Sequence, residues 1–241
     1  SLRAMPNGFV RTLLLLSMGL TAVAMLLTFS RAAFLAFIIV NSAYFLFQRN
    51  FKVMGLGLVF ALLASFALPG AVYERIGLGL GPDAKANEIS AGRTDEIWAP
   101  LWPETVRNAL TGRGLGTTMW SDAMRADAIL HVDHPHNAYL KALLDMGLPG
   151  LLLMCFFFWR SWRLLRALAR HPGLDTRLRE AMQGSAVALI AMLVVGMSGS
   201  SLDPITEQVF FWLMIGMAYG LAQRPGIGIA LDRIKPARAR P

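Results

Sequence analysis

The chain has 241 residues, 55% of them apolar and 16% charged, with a net charge of +8 and a mean hydropathy of +0.50. Ordinary soluble domains carry roughly 25% charged residues, so this balance excludes a soluble globular enzyme and points to a polytopic membrane protein. It also argues against nucleic acid as a partner: 15 of the 23 lysines and arginines lie in four short segments between or beyond apolar runs, a positive-inside distribution that the anionic lipids of the cytoplasmic leaflet explain.

Six apolar runs follow one another along the chain. Residues 13–29 are long enough to span a bilayer, Ser30 and Arg31 interrupt the pattern, and residues 32–47 form the second run. After Arg49 and Lys52 comes a third run, 53–68, ended by Pro69 and Gly70. Residues 71–136 are polar and rich in Gly, Pro and charge. The fourth run covers 143–159, with a helix entering it as early as Asn137. Six arginines, from Arg160 to Arg179, precede a fifth run at 182–197, and the sixth covers 205–221 before a basic tail. No cleavable signal peptide is convincing, because a second span follows the first almost at once. The lone Cys155 cannot form an intrachain disulfide and reads as a small buried hydrophobe.

Assigning the basic segments to the cytoplasm lets the spans alternate without conflict. Both termini are then inside, and the 71–136 segment, with nine acids against six bases, is outside. Within it, Ile97, Trp98, Leu101, Trp102, Val106 and Leu110 recur near helical spacing, with Thr94 as an expected cap and Asp95 and Glu96 in the first turn. Pro100 and Pro103 would divide this stretch into two short amphipathic pieces on the membrane surface, their tryptophans at headgroup depth.

Several polar residues are candidates for chemistry. Arg31 is open to two readings, a snorkelling turn residue or a bidentate ligand for phosphate or carboxylate. Arg93 is either a solvated loop charge or a second cation over an anionic ligand. The run Gly112-Arg113-Gly114-Leu115-Gly116 matches neither a Walker A loop nor a dinucleotide fingerprint, and reads as a flexible turn near a ligand with Arg113 assisting. His131, His134 and His136 lie within six residues. Their spacing is too compressed for a helical zinc pair, so a metal site is the least favoured of three readings, beside a solvated loop and an acid–base group at the bilayer surface. Lys141 and Asp145, four apart, read as a mutual pair, and Asp203 and Glu207 as caps for the sixth helix.

The order of these elements resembles the C-terminal membrane domain of the O-antigen ligases, shared with O-antigen polymerases and bacterial protein O-oligosaccharyltransferases. His136-Asn137, then Gly147 and Gly150, is similar to the ligase signature. Residues from Thr28 to Leu35 are similar to the Ser-Arg-x-x-x-Leu element, with Ser30 and Arg31 at its head. Gly92-Arg93, Trp98 and the glycine run at 112–116 fit the large periplasmic loop. The resemblance covers residues 13–222 or thereabouts, and because family members have about twice as many spans, it implies the C-terminal part of a longer protein.

The resemblance implies an all-α, GT-C-like polytopic bundle in a bacterial inner membrane, one membrane domain over residues 1–241 with its periplasmic loop at 71–136. The implied activity is transfer of a glycan from undecaprenyl pyrophosphate to lipid A–core, with no cofactor and no metal. Polymerase and protein O-oligosaccharyltransferase activities are the alternatives within the class, and a non-enzymatic transporter is the alternative outside it. Carried over by position, Arg31 and Arg93, with Arg113, would hold the pyrophosphate. His136 would act at the acceptor hydroxyl, His134 would support it, and Ser30 and Asn137 would assist. The topology is open to a direct test. A cysteine at Ala84→Cys should react with an impermeant reagent in intact spheroplasts and one at Ala167→Cys should not; the reverse pattern overturns the assignment.

Overall fold

The computed structural model describes residues 8–27, 37–43, 70, 73, 77, 85–125, 132–199, 202–203, 205–224 and 227. All secondary structure among them is helical, with no strand. Helix α1 is Gly8–Leu27, on the first apolar run, and residues 37–43 are helical within the second. The third run and the Ser30-Arg31 turn lie outside the described residues. In the polar segment come α2 (Ala86–Ile89), a π-helical turn (Thr94–Trp98), α3 (Ala99–Arg107), α4 (Thr117–Trp120) and α5 (Asp122–Arg125). Then follow α6 (Ala138–Ala169), α7 (Thr176–Val195), a 3-10 turn (Thr206–Gln208) and α8 (Val209–Ala222). Among the described residues, α6 and α7 are long and apolar enough to cross a membrane, and α8 is a shorter apolar helix.

Element boundaries follow from caps that the hydropathy pattern does not weigh. Helix α6 starts at Ala138 because the Asn137 side-chain oxygen accepts the backbone N–H groups of Tyr139 and Leu140, at 3.0 and 3.1 Å. It continues past Trp159 to Ala169 because arginine and leucine are good helix formers. Helix α7 begins six residues before its apolar run, where Asp175 accepts the N–H of Arg177 at 2.9 Å. Two caps fall elsewhere than expected. Thr94 lies inside the π turn, and Ser90 Oγ and Asn87 Oδ1 accept the N–H groups of Thr94 and Asp95. Gln208 occupies the cap position of α8 and makes no side-chain cap bond.

Pro100 and Pro103 do not split the amphipathic stretch. Pro100 sits in the first turn of α3, where its missing N–H is no loss, and Pro103 lies inside the helix. The N–H of Ala99 reaches back five residues to the Thr94 carbonyl, a π-type bond that joins the turn to α3.

The chain divides into two compact units, each with residues from α6 and α7. One comprises residues 1–23, 156–190 and 203–241. Its core holds Phe158, Leu164, Leu168, Met182, Leu189 and Ile215. Phe157 of α6 stacks on Trp212 and Tyr219 of α8, with centroids 6.0 and 6.4 Å apart. The other comprises residues 24–155 and 191–202. Its apolar cluster is Ile97, Leu101, Ala123 and Leu144, with Trp98, Met124, Val132 and Leu140 packed against it. Cys155 is exposed, not buried, on a helix that also exposes Leu152 and Phe156. In a membrane-spanning helix an exposed apolar face is the one that meets lipid or a neighbouring helix, so hydrophobicity alone does not mark the interior.

Helix α6 is broken at Gly147, whose φ of 68° and ψ of −174° are not helical. A break leaves backbone groups without partners, and residues 109–117 supply them. The N–H groups of Arg113 and Gly114 donate to the carbonyls of Leu144 and Asp145, at 2.9 and 3.0 Å, and the N–H of Leu148 donates to Ala109 at 2.6 Å. Asp145 Oδ1 accepts the N–H of Thr117 at 3.0 Å. Glycine is required on both sides of this contact. A Cβ on Gly112, at φ +66°, would lie 2.4 Å from the Asp145 carbonyl oxygen, and one on Gly147 would lie 2.8 Å from Gly112 N. Gly114 is also left-handed but has open space around it. Gly112→Ala should therefore lower stability by about 2 kcal/mol or more, from overpacking added to backbone strain, and Gly114→Ala by clearly less. Unfolding of the purified variants in detergent checks the order; equal losses would show that the close approach is not what the glycine provides.

Candidate functional site

The second unit brings three sequence-distant segments together around His136. The first carries Arg93. Ala91 and Gly92 both have positive φ, 57° and 89°, and turn the chain into the π turn with Arg93 at its N-cap. Arg93 Nη1 donates to the Ser198 carbonyl at 3.1 Å. The second segment is the histidine turn, and the third is the end of α7, residues 193–198. This third segment also anchors the start of α6: the Ala138 N–H donates to Gly196 O and the Tyr139 hydroxyl to Leu193 O, both at 2.8 Å.

The histidine turn is tightly constrained. Pro135 is fully buried, and its carbonyl accepts the Trp98 indole N–H at 2.8 Å. His136 has a φ of 50°, in the left-handed region that few non-glycine residues enter. The rings of His134 and His136 meet edge to face with centroids 4.2 Å apart. His134 Nδ1 is hydrogen-bonded to the Asp133 carboxylate, and that bond, with the imidazole's charge, holds Asp133 below the usual carboxylate range. Trp98 is half-buried between the apolar cluster and this turn.

His136 itself is pushed below its ordinary 6.5, first by burial, then by the charges of His134 and Arg93, with Asp133 opposing weakly. Burial and neighbouring cations both penalise imidazolium. At neutral pH the ring is thus a neutral base, half-buried, beside a guanidinium. This is an arrangement that can take a proton from a hydroxyl while the cation faces an anion.

The remaining expected site residues are placed as follows. Arg31 and Ser30 lie outside the described residues, as does His131. Asn137 caps α6 and so fixes the exit of the histidine turn. Arg113 is engaged elsewhere: its Nη1 pairs with Glu104, which is 2% exposed, and with Asp122 at 3.3 Å. Glu104 also accepts the Asp122 N–H at 2.8 Å, and Arg107 pairs with Asp122 at 2.5 Å. The two arginines hold Asp122 below its usual range. Arg113 thus ties α3, α5 and the glycine turn together. Lys141 and Asp145 form the expected pair, at 3.9 Å, while Asp145 also holds Thr117. Trp98 and Ser198 were not among the expected site residues. Trp98 donates to the Pro135 carbonyl 37 residues away, and the Ser198 carbonyl accepts from Arg93 105 residues away; no side-chain pattern announces bonds to backbone carbonyls.

A sequence profile of the O-antigen ligase family matches residues 16–155, more than half of the chain and all of the Arg93 and His136 segments. The chain belongs to the O-antigen ligase family. Members are membrane-embedded, glycosyltransferase-like enzymes, ligases and polymerases, that act on lipid-linked glycans and lipid acceptors. No curated protein matches the chain. Within this family member the electrostatics of His136 can be measured apart from activity. Its ring should titrate below 6.5, and Arg93→Ala should move the titration upward by removing a cation that disfavours imidazolium. NMR of the histidine-labelled protein in detergent checks both, and a wild-type titration at or above 6.5 would contradict the arrangement.

Proposed function

We propose that this O-antigen ligase family protein transfers a glycan from undecaprenyl pyrophosphate to a sugar hydroxyl of lipid A–core. The reaction takes place at the periplasmic face of a bacterial inner membrane. The observation that carries the reading is that Arg93, from a distant part of the same polar segment, acts on a neutral, half-buried His136. His136 is the general base: it accepts the proton of the acceptor hydroxyl as that oxygen attacks the anomeric carbon. The bond to the pyrophosphate breaks, and the leaving group departs with its electron pair. Arg93, with Arg31 as the second cation, offsets the charge that develops there. His134, in ring contact with His136, supports it, and Asp133 holds His134 in turn. Arg113 acts on this site through the fold it braces. No cofactor and no metal enter this scheme.

The ligase reading stands ahead of polymerase and protein O-oligosaccharyltransferase because of the His136-Asn137 signature. The six-span topology, with residues 71–136 outside, belongs to the same proposal. It is supported by the distribution of basic residues and by the two helices long enough to cross a membrane.

Donor binding and transfer measured on the same purified variants separate the two roles. His136→Ala should cut transfer by roughly 10²–10⁴-fold, the usual worth of a positioned base, with donor binding little changed. Arg93→Ala should weaken donor binding together with transfer. Arg93→Lys should restore little of either, since lysine keeps the charge but not the planar fork that reaches an anion and Ser198 together. Loss of donor binding in His136→Ala as severe as the loss of transfer would make the histidine a pyrophosphate ligand and not the base.

A further inference from the structure

We infer that Trp98 is a positioning residue for His136: its indole N–H fixes the Pro135 carbonyl and thereby holds the histidine turn in its left-handed conformation. The inference rests on the reading of His136 as the reacting base.

The geometry starts from the strain. A non-glycine residue at φ 50° occupies a sparsely populated region, which a chain keeps only where its surroundings over-determine it. On the C-terminal side the determinant is plain, because Asn137 is locked by its two bonds into the first turn of α6. On the N-terminal side Pro135 has no N–H to offer, so its carbonyl is its only polar group. That residue is fully buried, and a buried carbonyl needs a donor. The donor is the Trp98 indole at 2.8 Å. An indole nitrogen donates only and cannot change roles.

Trp98 is itself held from below. It follows Ile97, 8% exposed, and precedes Leu101, fully buried, and it packs on the cluster these two form with Ala123 and Leu144. Val132 and Leu140, on either side of the histidine turn, pack on the same cluster. The indole therefore joins the base of the turn to a rigid support. The same support carries Arg93, five residues earlier, across the π turn that Trp98 closes. One residue thus sets the histidine relative to the element that presents the arginine.

Trp98→Phe keeps an aromatic ring on the cluster and removes only the donor. We expect kcat to fall by roughly 10- to 100-fold, the scale of a small misplacement of a reacting group, with donor KM within about twofold because the cation is untouched. The His136 ring, followed by NMR in histidine-labelled protein in nanodiscs, should titrate higher than in the wild type as its shelter opens. Trp120→Phe, on a tryptophan that is 61% exposed, should leave all three quantities unchanged. The sulfur isostere benzothienylalanine, incorporated at position 98, serves if the phenylalanine variant does not accumulate. It should reproduce the losses, since it lacks the N–H but keeps the shape. If neither kcat nor the His136 titration moves in these variants, the positioning role is overturned. Full transfer by His136→Ala would overturn the catalytic reading instead, and the titration shift would still decide whether Trp98 holds the ring.

Discussion

The break in α6 at Gly147 is the constraint on which the second unit depends. In a membrane-embedded protein an unpaired backbone group is costly, and irregular backbone persists only where other protein groups satisfy it. Here the 109–117 segment does so with three main-chain bonds and one from the Asp145 side chain. Each contributes about 0.5–1.5 kcal/mol net, but leaving one partner buried and unmet costs about 1–3 kcal/mol. The asymmetry makes the contact close to obligatory once the helix breaks. Docking this segment sets α3 beside the start of α6, and the cluster of Ile97, Leu101 and Leu144 fills the space between them. Gly147 of the family signature and Gly112 of the 112–116 run are therefore one feature seen from two sides. Each lacks a Cβ because the other's backbone is there.

Upon that frame the electrostatics of the site follow. Arg113 with Glu104 and Asp122 forms a partly buried ion network. Such a network is weak evidence for stability, but removing one partner is strongly destabilising, since it leaves an uncompensated buried charge. Arg93 donates to the Ser198 carbonyl, and its charge is among the causes that lower the proton affinity of His136. Two arginines of one polar segment thus act on different surroundings. One braces the fold through Glu104 and Asp122, and the other disfavours imidazolium at His136.

This division was only partly legible in the sequence. Helical class, the Asn137 cap and the Lys141–Asp145 pair are local, and spacing reports them. The His136 shift is not local: its first cause is burial, followed by the charges of His134 and Arg93, and only folding supplies the burial and the arginine. In sequence Arg113 looks like a ligand for phosphate, since a glycine-flanked arginine in a loop has no visible acid near it at helical spacing. Its partners lie nine residues to either side, and only folding brings them close. Cys155 failed for another reason: in a membrane-spanning helix, apolar composition does not distinguish the face toward the protein from the face toward lipid. Thr94 lost the cap to Ser90 and Asn87 because the chain enters the π turn through two left-handed residues, a path that propensity does not foresee.

The histidine turn shows why the site needs so much support from groups with no chemistry of their own. The general base proposed for His136 requires a neutral ring in a fixed position, and these two demands pull against solvent exposure. Burial keeps His136 neutral, yet burial near the surface of a polar loop must be imposed by the fold. Proline and a left-handed residue in succession make a stiff, sharp turn, and the turn stays put only if both of its ends are tied. Asn137 ties one end to a helix, and the Pro135 carbonyl ties the other to an indole seated on an apolar cluster. Ring position and proton affinity are thus set by the same contacts. A change that loosens the turn would let water reach the imidazole and raise its affinity for protons, so loss of geometry and loss of the neutral base would arrive together.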